Sequence, residues 1–396
     1  MAKFGNRRFQ PVRLTQAREH LGMTKKSLAL LTNLSQQMIG SYERGISNPT
    51  DGVIDKLGDV LNTPSSYFLL PPSEEQVDHV FWRAMKSDTT QSQQRTKQQL
   101  QWTVETIDLL EEFVELPKFE LPSLPISEWR SLSDERIEVL AEKLRQSWGL
   151  GRHPIEDMTL VLENAGIPVL ALEIENRKQA GFLYFSRLLE RPIIGVNTFE
   201  QSLSRQRFSL AHELGHLIMH RSVMPNEIAN TTLNPKIEAQ AHRFASAFLF
   251  PREAFRKEVY DFSLAEFSVL KRTWGVGILA QVYRARNLEL ISAEQLDTLI
   301  RQASRKGYRK PLGEPWDDVL KLERPRMLSR AMTALAEAPE GLFGDFLQDF
   351  YFAEAPLEEA FGHKFSIQNQ RADDLTNVIK LRPRELNPQK SFNLKE

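Results

Sequence analysis

No cysteine occurs among the 396 residues of the chain, and its absence removes several classes of site. Disulfides, thiolate nucleophiles and cysteine-ligated zinc or iron–sulfur centres all require a thiol, so none of them can form from this chain's own side chains. A metal ion would have to be bound by His, Asp or Glu. Since the chain has only 8 His, two histidines at ligand spacing arise rarely by chance.

Long apolar segments are missing as well. No stretch approaches the ~20 residues that a membrane-spanning helix needs, and the basic N-terminus is not followed by the apolar segment of a secretory signal. We therefore expect a cytoplasmic protein with no membrane partner. The composition, 41% hydrophobic and 26% charged, is that of a globular protein, and the length predicts two or three domains at ~150 residues each.

The net charge of −1 conceals an uneven distribution. Residues 1–30 contain seven Lys and Arg against one Glu, whereas residues 104–120 contain six Asp and Glu against one Lys. A basic N-terminal segment favours contact with nucleic acid. Solvated helix faces would explain the same charges equally well, so charge alone does not decide between the two.

Turn and capping residues divide the N-terminal region, 1–72, into short helices. Thr24 and Ser35 are suited to cap the start of two of them, and Gly22 and Gly45 follow helix ends. The predicted helices are Val12–Leu21, Lys25–Leu31, Gln36–Arg44 and Gly52–Leu61. This pattern indicates a compact all-α unit.

The next region, 73–132, is predicted to be a helical and Pro-rich connector. Apolar residues from Leu100 to Val114 recur at three- and four-residue steps, as in an amphipathic helix. Pro117, Pro122 and Pro125 predict an extended, stiff continuation. We expect the apolar face of the helix to pack either on its own domain or on a second copy of the chain.

Residues 133–261 change to a mixed α/β pattern, and residues 262–396 are predicted to be mainly helical. In the first of these regions, three strands lie between two pairs of helices, which indicates an α+β domain on a small sheet. The chain as a whole is expected to be a multi-domain, mainly α protein. The predicted strands are Ile167–Leu172, Gly181–Phe185 and Pro192–Asn197, and the predicted helices are Asp134–Trp148, Asp157–Asn164, Leu203–Arg221, Asn234–Phe248, Leu264–Ala285, Ser292–Ser304 and Pro325–Glu337.

The segment from His212 to His216 has the form H-E-x-x-H within a predicted helix. Positions i and i+4 lie on the same helix face, so His212 and His216 can bind one ion, and zinc suits them. Glu213 lies beside the ion and can take a proton from bound water, whose pKa zinc lowers to ~7. These three residues predict metal-assisted hydrolysis of a peptide bond.

A catalytic zinc site normally has three protein ligands, and Glu238 is the candidate for the third. It lies beside the apolar side of a second predicted helix that would pack on the first. His242 is an alternative ligand, but we expect it to orient a ligand or to be a packed histidine. His220 lies near a helix end, where it can interact with the terminal carbonyls. Tyr184, His220 and His242 are all candidates for stabilising the oxyanion.

Residues 24–45 have the spacing of a helix-turn-helix, although the apolar periodicity alone would suit any small helical bundle. Polar residues at the start of the second helix can reach base edges in the major groove, and nearby cations can contact phosphates. The internal seam is predicted from Leu28, Ala29, Leu34, Ile39 and Tyr42. The predicted base-facing residues are Gln36, Gln37, Gly40 and Ser41, and the predicted phosphate contacts are Lys25, Lys26 and Arg44.

The region around the histidine motif, about residues 133–310, resembles the ImmA/IrrE metallopeptidase family. The matching segments are Ile193–Asn197, Arg207–His216, Glu238 with Phe244-Ala245, and Leu249–Pro251. The resemblance implies that His212, His216 and Glu238 are zinc ligands and that Glu213 is the general base. Family members cleave repressor proteins and so relieve transcriptional repression. The sequence departs from the family at His242, where Asn or Asp is more common.

The N-terminal segment, about residues 12–70, is similar to the Xre/Cro-type repressor family. The most specific part of the resemblance is Ile39–Thr50. It implies DNA binding, usually by a dimer on a paired site. The acidic connector helix is a candidate for the dimer contact, and a solvated helix is the alternative.

Together these patterns predict a DNA-binding transcriptional regulator with a zinc-dependent endopeptidase domain that hydrolyses a partner regulator or the chain itself. The expected partners are double-stranded DNA, a protein substrate of the repressor type and a second copy of the chain in a homodimer. The alternative is a regulator or antitoxin-like protein whose metal domain senses or binds a partner without turnover. Glu213 favours the enzyme, because a structural zinc site needs no base. A plain interaction scaffold would bind no metal.

Overall fold

A computed structural model describes most of the chain. The residues described are 8–75, 77, 90–122, 129–172, 181–199, 201–223, 230–338, 341–349 and 380–381. Predictions that fall on other residues, such as the extended stretch at Pro125 and most of the region after residue 349, lie outside this set. None of the described helices is both long enough and apolar enough to span a membrane.

The N-terminal unit consists of four α-helices and a closing 3-10 helix, Ser65–Leu69. Capping explains the helix starts, since the Thr24 hydroxyl accepts from Ser27 N and the Ser35 hydroxyl from Met38 N. The predicted α-helices are confirmed to within one residue at each end. They are α1 (Pro11–His20), α2 (Lys25–Thr32), α3 (Gln36–Glu43) and α4 (Asp51–Leu61).

The predicted seam of the helix-turn-helix forms the core of this unit. Leu28, Ala29, Ile39 and Tyr42 are buried, and Leu34 is half-buried at the turn between α2 and α3. Burial of these side chains holds α3 in a fixed orientation on the other helices, because apolar contact removes their surface from water.

The connector helix α5 (Thr90–Glu111) packs along α1 within the same chain. Its Trp102 ring is buried, stacks on His20 and donates from Nε1 to the Tyr67 hydroxyl at 2.7 Å. The apolar side of α5 is therefore used inside the chain and is not available to a second copy. The acidic segment 104–120, which includes the end of α5, is also partly paired within the chain, since Arg191 contacts Glu111.

The prediction that the amphipathic helix reaches Val114 was wrong. The last amides after α5 turn back to carbonyls three residues earlier, Glu112 N to Leu109 O and Phe113 N to Leu110 O. Such tightened bonds end a helix. Val114 then enters β1 (Val114–Glu115), which pairs antiparallel with β5 (Lys380–Leu381).

A three-stranded sheet forms the centre of the second half of the molecule. It contains β2 (Val169–Leu172), β3 (Gly181–Ser186) and β4 (Arg191–Asn197), in the order β2-β4-β3. β2 is parallel to β4, with Val169 opposite Ile194, and β3 is antiparallel to β4, with Leu183 opposite Ile194. All three strands were predicted, and β3 is an edge strand among the described residues.

The two faces of the sheet belong to different hydrophobic clusters. Leu183, Ile194 and Val196 face a helical core that extends from Trp129 to Ala303. Side chains on the opposite face, including Phe182 and Tyr184, pack with the N-terminal helices and α5. Alternation along a strand sends neighbouring side chains to opposite faces, so the sheet separates the two cores and contacts both.

Helices surround the sheet on the side of the first cluster. They are α6 (Asp134–Ser147), α7 (Met158–Asn164), α8 (Leu203–Met219), α9 (Leu233–Leu249), α10 (Arg252–Glu258), α11 (Leu264–Trp274), α12 (Ile278–Asn287) and α13 (Ala293–Arg305). The cluster is continuous from α6 to α13, so the predicted boundary at residue 261 falls inside one core. Further along lie α14 (Met327–Ala336), which packs on the other cluster, and α15 (Leu342–Asp349).

The prediction of one helix over Leu264–Ala285 was wrong, because the chain breaks between α11 and α12. Gly275 ends α11 in the left-handed conformation, with φ +65°, which suits glycine. A Cβ there would lie 2.3 Å from an Arg207 guanidinium nitrogen. The break therefore allows Arg207 of α8 to pack against the end of α11.

Candidate metal centre and candidate nucleic-acid interface

The two histidines of the motif lie on α8, which is capped by Ser202, whose hydroxyl accepts from Arg205 N. The apolar side of this helix, including Leu210 and Leu214, is buried in the core beneath the sheet. Packing of that side fixes the rotation of α8 about its axis. His216 is consequently buried and His212 is half-buried, one turn apart on the same face.

Glu238 reaches the two histidines from α9 because α8 and α9 approach each other closely at Gly215. A Cβ on Gly215 would lie 3.1 Å from Phe244 Cδ1, tighter than ordinary packing, and 3.4 Å from Ala241 Cα. A larger residue at Gly215 would hold the helices further apart. The sequence G-H at positions 215–216 thus combines a ligand with the small residue that brings the second helix near it.

The three predicted ligands converge on one point. His212 Nε2 and His216 Nε2 are 3.0 Å apart, and the Glu238 carboxylate oxygens lie 3.4 Å and 3.1 Å from these two nitrogens. Tetrahedral zinc with bonds of ~2.05 Å would have ligand-to-ligand edges of ~3.3 Å. Two imidazole nitrogens and one carboxylate oxygen therefore fit zinc in both chemistry and spacing.

Glu213 directly follows His212 in α8 and is not part of this group of ligands. It is half-buried, and its carboxylate faces the first residue of β3, with Oε1 3.6 Å from the position of a Cβ on Gly181. The carboxylate of Glu213 therefore lies close to the first residue of the edge strand.

On the side of His216 that faces away from the other ligands, two further side chains lie within hydrogen-bonding distance of one another. His216 Nδ1 lies 3.0 Å from His220 Nδ1, and His220 Nε2 lies 3.0 Å from Gln240 Oε1. The prediction that the His220 side chain interacts with the carbonyls at the helix end was wrong, since both of its nitrogens face side chains. Gln240 was not predicted from the sequence. The features that could have indicated its role are three histidines spaced at four residues and a Gln two residues after Glu238.

The three candidates for stabilising an oxyanion have different surroundings. Tyr184 is on the face of β3 that points away from α8, and its hydroxyl donates to the Glu75 carboxylate at 2.9 Å. It was therefore wrong as a candidate. His220 is 1% exposed and lies behind His216. His242 is exposed, and its ring packs on His212 and on Phe208, with centroid distances of 4.5 and 5.6 Å.

On the helix-turn-helix, most of the predicted DNA-facing residues are accessible. Gln36, Gln37, Lys26 and Arg44 are exposed, and Ser41 is half-buried. The prediction that Gly40 faces outward was wrong. Gly40 is buried, and the Arg44 guanidinium lies over it, 3.6 Å from the position of a Cβ.

Lys25, a predicted phosphate contact, has a partner within the chain. Its Nζ lies 2.9 Å from Glu43 Oε2, and Arg18 of α1 binds the other oxygen of the same carboxylate. Glu43 therefore ties α1, α2 and α3 together, a role that the sequence analysis did not predict. The pair leaves less of the Lys25 charge available to a phosphate.

Comparison with known proteins assigns a family to each of the two regions that contain these residues. Residues 162–286 match the Peptidase_M78 family, described as the IrrE N-terminal-like domain, and residues 14–68 match the helix-turn-helix family HTH_3. The HTH-type transcriptional regulator SutR of Escherichia coli (strain K12) is 38% identical over 65 residues, which are 16% of this chain and 36% of that protein. The chain thus matches only about a third of that relative's length. It carries an Xre-type helix-turn-helix DNA-binding domain followed by an IrrE/ImmA-like Peptidase_M78 domain.

Proposed function

We propose that this protein is a cytoplasmic transcriptional regulator whose second domain is a zinc-dependent endopeptidase. The observation that carries the proposal is the convergence of His212, His216 and Glu238 beside Glu213. Three protein ligands with an adjacent carboxylate are the pattern of a catalytic zinc site, which leaves a fourth position for water or substrate. A structural site would not need the carboxylate.

In this proposal His212, His216 and Glu238 hold the metal, and Glu213 moves the proton. Zinc, when bound, supplies a Lewis acid that polarises the peptide carbonyl and increases the acidity of water. Glu213 takes a proton from the attacking water and gives it to the leaving amine nitrogen as the peptide bond breaks. The Glu213 carboxylate lies close to Gly181, the first residue of the edge strand β3, along which an extended peptide can pair by backbone hydrogen bonds.

The expected substrate is a partner regulator of the repressor type, or the chain itself. The helix-turn-helix domain brings the protein to double-stranded DNA, where other regulators are bound as well, and this supports a regulator as substrate. We propose that the chain binds DNA as a homodimer, as helix-turn-helix proteins commonly do on paired half-sites. The dimer contact would have to use a surface other than the buried side of α5.

A second candidate is a regulator whose metal domain senses a metal or a partner without cleavage. The continuous hydrophobic cluster between the N-terminal helices and the sheet favours it, since a change at the sheet would be felt by the DNA-binding helices. DNA binding would then depend on zinc, and no peptide bond would be cut.

The test uses the full-length chain and its Glu213→Gln variant. Zinc content is measured by elemental analysis, and each protein is incubated with the regulators encoded next to its gene. We expect one zinc per chain in both proteins and cleavage only by the wild type. Cleavage by Glu213→Gln would remove the proposed base, and zinc-dependent DNA binding without any cleavage would support the sensor.

A further inference from the structure

We propose that His220 and Gln240 are positioning residues that decide which nitrogen of His216 carries the proton. They would keep the Nε2 lone pair of His216 directed at the metal centre. The proposal rests on the metal site proposed above and adds to it a hydrogen-bonded chain of three side chains, His216, His220 and Gln240, which we call the relay.

The direction of the relay is set at its far end, by two backbone carbonyls. The side-chain amide of Gln240 lies with Nε2 2.9 Å from Trp129 O and 3.4 Å from Leu132 O. Carbonyl oxygens only accept hydrogen bonds, so the end of Gln240 that faces them is the NH2 group. The other end, Oε1, is then the one that faces His220.

The orientation of the Gln240 amide also determines which ring nitrogen of each histidine carries the proton. Gln240 Oε1 can only accept, so the proton of the neutral His220 ring is on Nε2, 3.0 Å away. His220 Nδ1 then carries the lone pair and must accept from His216 Nδ1 across 3.0 Å. With its proton on Nδ1, His216 has its lone pair on Nε2, the nitrogen 3.1 Å from Glu238 Oε1. This is the tautomer that binds a metal through Nε2.

Burial restricts the relay to one set of histidine tautomers. The exposed fractions of His216, His220 and Gln240 are 5%, 1% and 5%. Water can therefore not replace a missing partner, and the Trp129 ring packs against His220 in a T-shaped contact, with 6.1 Å between the ring centroids. A buried polar group that loses its hydrogen-bond partner destabilises the folded state, so the alternative tautomers are disfavoured.

The relay also connects three separate elements. His216 and His220 lie on α8, Gln240 lies on α9, and the two carbonyls belong to the turn before α6. Partners that orient a metal-binding histidine typically change metal affinity by 10- to 100-fold when they are removed. We expect an effect of that size when residue 240 loses the acceptor that fixes the proton of His220 on Nε2.

Two substitutions at Gln240 separate positioning from a purely structural role. Gln240→Met is similar in shape but has no acceptor for His220 and no donor for the carbonyls. Gln240→Glu keeps an acceptor for His220 but loses the NH2 donation to Trp129 O and Leu132 O. A structural role predicts that both variants weaken zinc binding alike, whereas the relay predicts that Gln240→Glu binds zinc far more tightly than Gln240→Met.

Gln281→Met is the matched control. Gln281 is fully buried in the same hydrophobic cluster, and its Nε2 also donates to two backbone carbonyls, Phe267 O at 3.0 Å and Val276 O at 2.7 Å. Its substitution removes the same kind of hydrogen bonds without a change in the relay. We expect it to lower the resistance to urea and to leave zinc affinity unchanged.

The experiment measures zinc affinity of the full-length proteins by competition with a chromophoric chelator. We expect Gln240→Met to bind zinc ~10- to 100-fold more weakly than wild type, and Gln240→Glu and Gln281→Met to remain within about threefold. Equal affinity of Gln240→Met and wild type would overturn the relay alone. A wild-type chain that binds no zinc would overturn the proposed function and the relay with it.

A spectroscopic measurement on the wild type tests the relay even if Gln240→Met does not fold. In 15N-histidine-labelled, zinc-loaded protein, long-range 1H–15N spectra report which ring nitrogen carries the proton. The relay requires the proton of His220 on Nε2 and that of His216 on Nδ1. A His220 ring protonated on Nδ1 would contradict it.

Discussion

Arg13 and Glu105 form a buried ion pair across 92 residues of sequence, with Arg13 Nη1 2.8 Å from Glu105 Oε2. The side chains are only 3% and 9% exposed. Arg13 is on α1 of the DNA-binding unit and Glu105 is on α5, so the pair fixes the connector helix on the helix-turn-helix. Basic and acidic segments that are far apart in the sequence are therefore partly used to bind each other.

The first prediction concerns this pair. Glu105→Gln leaves the Arg13 charge buried without its counter-charge, and the removal of one partner of a buried pair typically costs about 3–5 kcal/mol. We expect a decrease of that order in the free energy of unfolding, measured by urea denaturation. Glu112→Gln, at an exposed position just after α5, is the control and should change stability by less than ~0.5 kcal/mol. Equal effects of the two substitutions would show that the pair contributes nothing specific.

Local signals in the sequence accounted for most of the secondary structure. Thr24 and Ser35 were predicted as caps, and their side chains do cap α2 and α3. Such signals act within four residues, so they can be recognised without the fold. The error at α11 and α12 arose because Gly275 looks like a tolerated helical glycine until Arg207, from another helix, is seen to pack against it.

The metal ligands were predictable from the sequence where they lie close together along the chain. His212 and His216 are one helical turn apart, and Glu238 needed only the assumption that two helices pack together. Tyr184 was wrongly included because the alternation of a strand separates two faces but does not say which face the helices cover. The contact between His220 and Gln240 depends on the packing of α9 on α8, which no local pattern records.

The second prediction concerns the close approach of α8 and α9. A Cβ at Gly215 would lie 3.1 Å from Phe244, and a Val side chain would force the helices apart. Overpacking of this kind costs about 1–3 kcal/mol, and the displacement of α9 moves Glu238 away from both histidines. We therefore expect Gly215→Val to bind zinc at least ~10-fold more weakly in chelator competition, the size of effect typical when the groups that hold a ligand in place are disturbed.

Gly52→Val is the control for Gly215→Val. Gly52 is exposed on α4, and no heavy atom lies within 4 Å of the position of its Cβ. The substitution should leave zinc affinity as in the wild type. If Gly215→Val also bound zinc like the wild type, the close approach of the helices would not be what places Glu238.

The third prediction compares two neighbouring lysines on α2. Lys26 is exposed, whereas Lys25 is paired with Glu43. Each phosphate contact contributes about 0.9 to the slope of log affinity against log salt concentration. For binding to a generic duplex, measured by fluorescence anisotropy, we expect Lys26→Gln to reduce this slope by ~1 and Lys25→Gln to reduce it by clearly less. Equal reductions would mean that Lys25 leaves Glu43 when DNA binds.

The last prediction concerns His20, which is buried between α1 and α5 and stacks on Trp102 with a centroid distance of 4.3 Å. Burial, with a smaller effect of the Arg95 charge, lowers the pKa of His20 to about 4 from an ordinary value of 6.5. The unfolded chain therefore takes up a proton near pH 6.5, whereas the folded protein does so only near pH 4. The contribution of His20 to stability is fully present above pH 6.5 and is lost as the pH falls toward 4.

His20→Phe should remove this dependence while it keeps an aromatic ring against Trp102. The difference between a pKa of about 4 in the folded protein and 6.5 in the unfolded chain corresponds to at most ~3.4 kcal/mol, so the unfolding free energy of the wild type should fall relative to His20→Phe by up to that amount between pH 6.5 and 4. Urea denaturation at several pH values measures the difference, and the values above pH 7 serve as the internal reference because His20 is neutral there in both states. Parallel pH profiles of the two proteins would mean that His20 is protonated equally easily in the folded and unfolded chains, and that the contact between α1 and α5 is not what makes the protein sensitive to acid.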